Sequence, residues 1–266
     1  MNSAVLERAA LEAKLRKALS DKQLSLHYQP QVDPLTKTVV GLEALIRWTD
    51  PDSGPISPGP FIPLAEETGL ILPMGEWVID QACCQARYWD ARGLPAMPIS
   101  VNVSGVQFER QDVAEIMRFA VIRYHLPPGR LEIEITESAI MRHPERAVAA
   151  LRTLRESGAG VALDDFGTGY SSLSHLRRFT IDTLKIDRSF ILEIDQNVED
   201  AEIVAAIVAM AHALGLSVIV ESVETQARLP VIVAKQCDIV KGYVFSRPLP
   251  AQDIPALLSD PLRRTV

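Results

Sequence analysis

The sequence predicts an α/β domain of the TIM type, a (β/α)8 barrel. Three observations predict it. The chain has 266 residues, an ordinary length for one such barrel. About eight short, apolar, β-rich runs alternate with helix-like segments from end to end. Most of those runs also carry a polar or charged residue near the C-terminal end, where barrel enzymes gather their functional groups. An open, doubly wound sheet is the alternative. No glycine-rich dinucleotide-binding turn follows an early strand to support it.

The elements follow in order. Residues 1–20 read as a helix, with Leu11, Leu15 and Ala18 on one apolar stripe and Glu12, Arg16 and Lys17 around it. This is expected to be a linker helix entering the domain 21–266 from an upstream module. Strands are expected at Leu24–Tyr28, Val39–Trp48, Ile99–Val103, Leu131–Thr136, Gly160–Leu163, Thr183–Ile186, Val218–Val220 and Ile239–Phe245. Helices are expected at Gly75–Arg92, Asp112–His125, Pro144–Ser157, Ser171–Arg178, Asp200–Leu214 and Thr225–Lys235. The run from Ile203 to Val220 carries no formal charge and has the length of a membrane span. His212, Gly215 and Ser217 interrupt it, and Glu202 and Glu221 flank it. It therefore reads as a buried helix to Leu214, a Gly215 C-cap and a short strand, and no membrane segment is expected.

Composition narrows the function classes. A hydrophobic content of 47% supplies a core, and a net charge of −7 argues against a general DNA-binding or anionic-membrane surface. The three cysteines, with Cys83 and Cys84 adjacent, form neither a disulfide framework nor a zinc motif. With no signal peptide at the start, this reads as a reducing, cytoplasmic compartment.

The chemistry lies in the polar strand ends. Side chains alternate faces along a strand, so Glu43, Leu45 and Arg47 share one face, as do Ser100, Asn102 and Ser104. Glu132, Glu134 and Thr136 share a face, and so do Thr183, Lys185 and Asp187. Asp164 lies in phase with Ala162, Glu221 with Ile219, and Lys241 with Ile239. In a barrel these residues converge on one mouth, where buried charges must be paired or bind metal. The adjacent Asp164 and Asp165 repel each other unless a cation lies between them. Gly167 and Gly169 let the following loop turn tightly away. Glu43, Asn102, Glu134, Asp164 and Asp165 are oxygen donors only, which points to Mg²⁺ or Mn²⁺ rather than zinc. Such a set can hold two ions, a common device for phosphodiester hydrolysis. Arg47 suits a bidentate phosphate clamp. Lys185 suits orienting a nucleophile, or else an internal ion pair with Asp187 or Asp164. Phe245 and Pro248 are placed to touch a base. The five histidines and Trp48, Trp77 and Trp89 read as packing or surface residues.

These residues sit in strings that resemble the EAL family of cyclic di-GMP phosphodiesterases, from about Leu24 to Pro248. The strings are Tyr28-Gln29-Pro30, Glu43-Ala44-Leu45-Ile46-Arg47-Trp48, Phe61-Ile62-Pro63-Leu64-Ala65-Glu66, Asn102-Val103-Ser104 and Glu134-Ile135-Thr136-Glu137. They continue with Asp164-Asp165-Phe166-Gly167-Thr168-Gly169, Lys185-Ile186-Asp187, Glu221-Ser222-Val223-Glu224 and Gly242-Tyr243-Val244-Phe245. The resemblance implies hydrolysis of cyclic di-GMP to linear pGpG with Mg²⁺ or Mn²⁺, in a modified barrel with one strand antiparallel. It implies that Glu43, Asn102, Glu134 and Asp164 hold one metal, and that Asp164, Asp165 and Glu221 hold a second. Lys185 would hold the attacking water, with Glu221 and Glu43 catalytic beside it. Arg47 would contact a phosphate and Gln29 the nucleotide, and Asp187, Lys241, Phe245 and Pro248 would complete the substrate site. Glu137 and Glu224 would brace the loop after Asp165, which also implies a homodimer contact. An upstream sensor or GGDEF-type domain fits the N-terminal helix.

Two positions depart from the family pattern. Ser222 stands where glycine is usual, which matters if the backbone there needs positive φ. Lys241 stands where glutamine is usual. Its positive charge should weaken metal binding, unless it loses its proton or pairs with Glu221. The sequence thus supports an active phosphodiesterase first, a cyclic di-GMP receptor with weak or no turnover second, and a partner-binding module third.

Overall fold

A computed structural model of the chain describes residues 2–167 and 173–259. Helix α1 (Asn2–Ser20) leads into strands β1 (Leu24–Val32), β2 (Val39–Asp50) and β3 (Gly54–Ile56). Helices α2 (Pro58–Thr68) and α3 (Ile71–Asp90) precede β4 (Ile99–Asn102), and α4 (Gly105–Arg110) and α5 (Val113–Tyr124) precede β5 (Leu131–Thr136). Next come α6 (Glu137–Met141), α7 (Pro144–Glu156), β6 (Gly160–Phe166), α8 (Leu173–Leu176) and β7 (Thr183–Ile186). The chain continues through α9 (Val198–Ala213), β8 (Ser217–Val220), α10 (Leu229–Ala234), β9 (Ile239–Lys241), β10 (Leu249–Pro250) and α11 (Ile254–Ser259).

Strands β2 and β4 to β9 pair in parallel, each with the next. Strand β1 closes the ring by pairing antiparallel with both β2 and β9. The result is a closed, eight-stranded barrel with one reversed strand, and β3 and β10 attach at its rim. The fold is the modified (β/α)8 barrel that the resemblance implies. Residues of opposite phase to the polar set, among them Leu42, Ile99, Val101, Ile133, Leu163 and Leu184, are buried in one core with the surrounding helices.

Most elements fall where periodicity places them, and the differences have local causes. Helix α5 is capped by Asp112, whose side chain accepts the Glu115 N–H, and it ends at His125 in the left-handed region. Gly215 (φ 74°) separates α9 from β8, and no helix among the described residues is long and apolar enough to cross a membrane. Helix α2 lies in a proline-rich stretch where the sequence predicts no element. Pro58 opens its first turn, where proline needs no N–H partner. The final strand stops at Lys241 instead of Phe245, because Gly242 starts a turn in which Phe245 N–H donates to the Gly242 carbonyl. A Cβ on Gly242 would lie 2.0 Å from the Val223 carbonyl oxygen, so only glycine fits. The helix expected over Thr225–Lys235 is confined to α10, after a short 3₁₀ turn at Gln226–Arg228. For the helix expected over Ser171–Arg178, Ser171 and Ser172 lie outside the described residues.

Helix α1 docks on the barrel. Leu15 and Ala18 are buried in a cluster with Trp48, Phe61, Ala65 and Met74, and Trp48 meets Phe61 edge to face at 5.5 Å. Lys14 Nζ lies 3.2 Å from Asp50, whose carboxylate also accepts the Ser53 and Asp52 N–H groups. Those bonds, Ser53 first, hold the Asp50 pKa down at about 2. A carboxylate depressed in the folded state stabilises above its unfolded value near 3.9, and that contribution is lost as pH falls through the folded value. The stability difference between wild type and Asp50→Asn, measured by urea unfolding, is therefore expected to be full above about pH 5 and to vanish between about pH 4 and 2. A difference constant through that window would contradict this anchor.

Candidate active site

The barrel interior is polar, and its groups form two linked tiers. In the lower one, Gln31 Nε2 donates to Ser100 Oγ at 3.3 Å, and Ser100 Oγ donates to Glu132 at 2.7 Å. Thr183 Oγ1 donates to the other Glu132 oxygen at 2.9 Å. Burial pushes the Glu132 carboxyl above its ordinary pKa. Glu132 and Ser100 share the polar phase of Glu134 and Asn102, so alternation could have flagged them. Gln31 was missed because β1 runs four residues past the expected strand end.

The upper tier lies one strand repeat nearer the mouth. Glu43, Glu134 and Glu221 each offer a carboxylate oxygen, and these oxygens lie within 4.8 Å of one another. Like charges at that distance repel by about 3–4 kcal/mol per pair at an effective dielectric near 20. Two buried ammoniums offset this. Lys185 Nζ pairs with Glu134, with Glu221 at 2.7 Å and with Asp164 at 3.1 Å. Burial opposes its charge, yet those three carboxylates hold its pKa well above the ordinary lysine value. The ion pair expected with Asp187 or Asp164 is made with Asp164. Lys241 Nζ pairs with Glu43 and lies 2.8 Å from Glu221. Burial alone pulls Lys241 down to about 7, but two carboxylates at ion-pair distance favour its charged form. Of the two effects the contact geometry argues for an ammonium. Asn102 Nδ2 donates to Glu43 at 2.8 Å, which leaves its amide oxygen available. Burial raises the pKa values of Glu134 and Glu221, and neighbouring carboxylates add to it.

Asp164 and Asp165 sit at an irregularity in the β6–β7 register between Leu163 and Phe166, where Asp165 takes φ 54°. On a regular strand adjacent side chains face opposite ways; a bulge breaks that rule and turns the pair toward the mouth. Burial and the Asp164 charge raise the Asp165 pKa. Glu137 accepts the Gly167 N–H at 2.9 Å and so braces the start of the following loop. Glu224 is exposed and makes no hydrogen bond or ion pair with the described residues. Thr168 to Ser172, where the dimer contact is expected, lie outside the described residues. Ser222 has φ 56°, so the position where glycine is usual does require the left-handed region.

Around this centre, half-buried Arg47 donates to the Ile46 carbonyl and lines a cavity of about 390 Å³ with Glu43, Leu45, Glu66, Met74, Asn102 and Gln107. Burial lowers the Arg47 pKa, and the nearby Tyr243 hydroxyl opposes that shift. Gln29 Nε2 donates to the Ser246 carbonyl at 3.2 Å, tying β1 to the segment that carries Phe245 and Pro248. Phe245 is buried, with Lys37 Nζ 5.4 Å from its ring centre. Asp187 caps the turn after β7 by accepting the Ser189 N–H at 2.8 Å. Tyr243 and Glu66 stand in strings that resemble the family but carry no predicted site role, because cavity walls built by loops and helices have no strand-like alternation.

Fold and site together define a modified (β/α)8 barrel with an acidic, oxygen-only centre at its mouth. The chain belongs to the EAL domain family, whose model matches residues 12–248. It is 43% identical over 254 residues to the bifunctional diguanylate cyclase/cyclic di-GMP phosphodiesterase MucR of Pseudomonas aeruginosa, covering 96% of this chain and 37% of MucR. It is 42% identical to the cyclic di-GMP phosphodiesterase NbdA of the same organism, covering 90% of this chain and 31% of NbdA. The chain thus spans about a third of the length of these relatives. The structure of the MucR phosphodiesterase in complex with c-di-GMP superposes with a TM-score of 0.89 at 44% identity, over 92% of this chain and 99% of that one.

Two outcomes follow from the site geometry. Lys185→Met leaves Glu134 and Asp164 without their ammonium and Glu221 with Lys241 alone. In metal-free buffer it is expected to lower unfolding stability by about 3 kcal/mol or more, read by urea denaturation. Unchanged stability would show that the ion pairs do not hold the centre. Ser222→Gly relieves a left-handed serine and is expected to stabilise by about 0.5–1 kcal/mol in the same measurement. A loss of stability would mean that the serine side chain makes a contact of its own.

Proposed function

We propose that this domain hydrolyses cyclic di-GMP to linear pGpG in a reaction that depends on Mg²⁺ or Mn²⁺. The observation that carries the reading is the convergence of Glu43, Glu134 and Glu221 within 4.8 Å at a barrel mouth, with Lys185 among them and Arg47 beside them. Membership of a family whose relatives MucR and NbdA are named for this activity supports it.

The centre suits a hard divalent cation. Its donors are all oxygen, and Glu134 Oε1 is buried with no hydrogen-bond partner among the described residues. In this reading Glu43, Asn102, Glu134 and Asp164 hold one ion, and Asp164, Asp165 and Glu221 offer ligands for a second. A bound ion would lower the pKa of water and neutralise a phosphodiester. Lys185 holds the attacking water in line with one phosphorus, and Glu221 and Glu43 orient the groups around it. The water oxygen bonds to phosphorus as the bond to the 3′ oxygen breaks, one water proton ends on the released 3′ hydroxyl, and the 5′-phosphate of linear pGpG remains. Arg47 clamps a phosphate through its guanidinium. Gln29, Asp187, Phe245 and Pro248 hold the nucleotide, and the cavity beside Arg47 offers room for a base. Glu137 fixes the loop after Asp165, and the family resemblance assigns Glu224 the same role. A homodimer through that loop, an upstream sensor or GGDEF-type domain and a cytoplasmic location belong to the same proposal.

One observation favours a second reading. Lys241 holds Glu43 and Glu221 in ion pairs, which competes with metal for two of the three clustered carboxylates. A domain so restrained would bind cyclic di-GMP and turn it over slowly or not at all. Incubation with cyclic di-GMP and Mg²⁺ or Mn²⁺, followed by chromatography of the products, separates the two. The proposal expects metal-dependent pGpG that falls by at least about a hundredfold in Asp164→Asn. Calorimetric nucleotide binding without product would establish the receptor instead.

A further inference from the structure

Every carboxylate of the clustered triad is engaged by an ammonium. Glu134 is paired with Lys185, and Glu43 with Lys241. Glu221 Oε1 is shared, 2.7 Å from Lys185 Nζ and 2.8 Å from Lys241 Nζ. The two lysines are not equivalent. Lys185 comes from β7 and faces Glu134 and Asp164, whereas Lys241 comes from β9 and bridges Glu43 and Glu221 from the opposite side. The unpartnered oxygen of Glu134 and the free amide oxygen of Asn102 leave ligands for an incoming cation that do not belong to Lys241. The proposed second ion draws on Glu221 and shares Asp164 with the first, so the Lys241 ammonium on Glu221 competes with it directly.

Charge points the same way. With their carboxyls ionised, Glu43, Glu134, Asp164, Asp165 and Glu221 carry five negative charges, and Lys185 and Lys241 return two. The remainder of three exceeds the charge of one divalent ion and falls short of two. A second would place a net positive charge in a buried site beside a fixed ammonium, where repulsion is weakly screened.

We propose that Lys241 is a resident cation that takes the place of one divalent ion, so that the substrate-free domain binds a single ion tightly. This rests on the metal-dependent reading above. It makes Lys241 a positioning residue that holds Glu43 and Glu221, and it locates control of metal stoichiometry at the end of β9.

The test is a direct count of bound metal. The metal-stripped chain, Lys241→Gln and Lys241→Arg are titrated with Mn²⁺ by calorimetry, and each is examined by electron paramagnetic resonance. Circular dichroism melting confirms that each variant is folded. Wild type and Lys241→Arg are expected to bind one Mn²⁺ per chain and give the six-line signal of an isolated ion. Lys241→Gln is expected to bind a second ion at least about tenfold more tightly than wild type does, with an exchange-coupled signal. The same stoichiometry and affinity in wild type and Lys241→Gln would overturn the assignment and leave the metal-dependent reading standing. Absence of Mn²⁺ binding in all three would overturn that reading, and this inference with it.

Discussion

The structure turns on carboxylates that face one another inside a barrel too narrow to keep them apart. Glu43, Glu134 and Asp164 lie on three strands and Glu221 follows a fourth, and closure of the barrel brings their side chains to one centre. Uncompensated, they would repel by several kcal/mol per pair or take up protons. Lys185 answers this from within the barrel wall, with pairs to Glu134, Asp164 and Glu221 and almost no exposure. In the proposed reading, carboxylates held ready by an ammonium pass to a metal without refolding, so that stability of the resting domain and affinity for a cation draw on one set of charges.

The barrel serves this centre in specific ways. Reversing β1 puts Gln29 opposite Glu43 and Gln31 opposite Lys241, so its polar side chains join the interior tiers from the other chain direction. The lower tier, with Glu132 held by Ser100 and Thr183, supplies a hydrogen-bonded floor beneath the charged layer. At β6 a bulge turns two adjacent aspartates toward the mouth. After β8 a left-handed serine lets the chain leave Glu221 sharply, and Gly242 leaves room for the Val223 backbone that passes there.

Much of this was legible in the sequence, because strand alternation and charge burial are local rules. The polar phase of Glu43, Asn102, Glu134, Asp164, Lys185, Glu221 and Lys241 marks the inner face, and the barrel brings those residues together. The reversed β1 was not legible from periodicity, since alternation is the same in either chain direction. It followed from the family resemblance alone. The left-handed backbone at Asp165 was hidden because aspartate does not announce it as glycine does, whereas at Ser222 the family's usual glycine pointed to it. Helix α2 was disguised by its prolines, and the Lys241 pairs with Glu43 and Glu221 depend on the closure of β9 onto β2 through β1, which no local pattern encodes. The Glu221 pairing had been one of several alternatives for that lysine, and ion-pair geometry selects it.

The most direct test of the acidic centre is a crystal structure of the domain grown with Mn²⁺ and a non-hydrolysable cyclic di-GMP analogue, with the metal located by anomalous scattering. The account predicts an anomalous peak ligated by Glu134 and Asn102, with a phosphate of the analogue reaching both that ion and Arg47. A nucleotide bound away from this mouth, or an acidic centre still closed by its two lysines with no metal present, would contradict it.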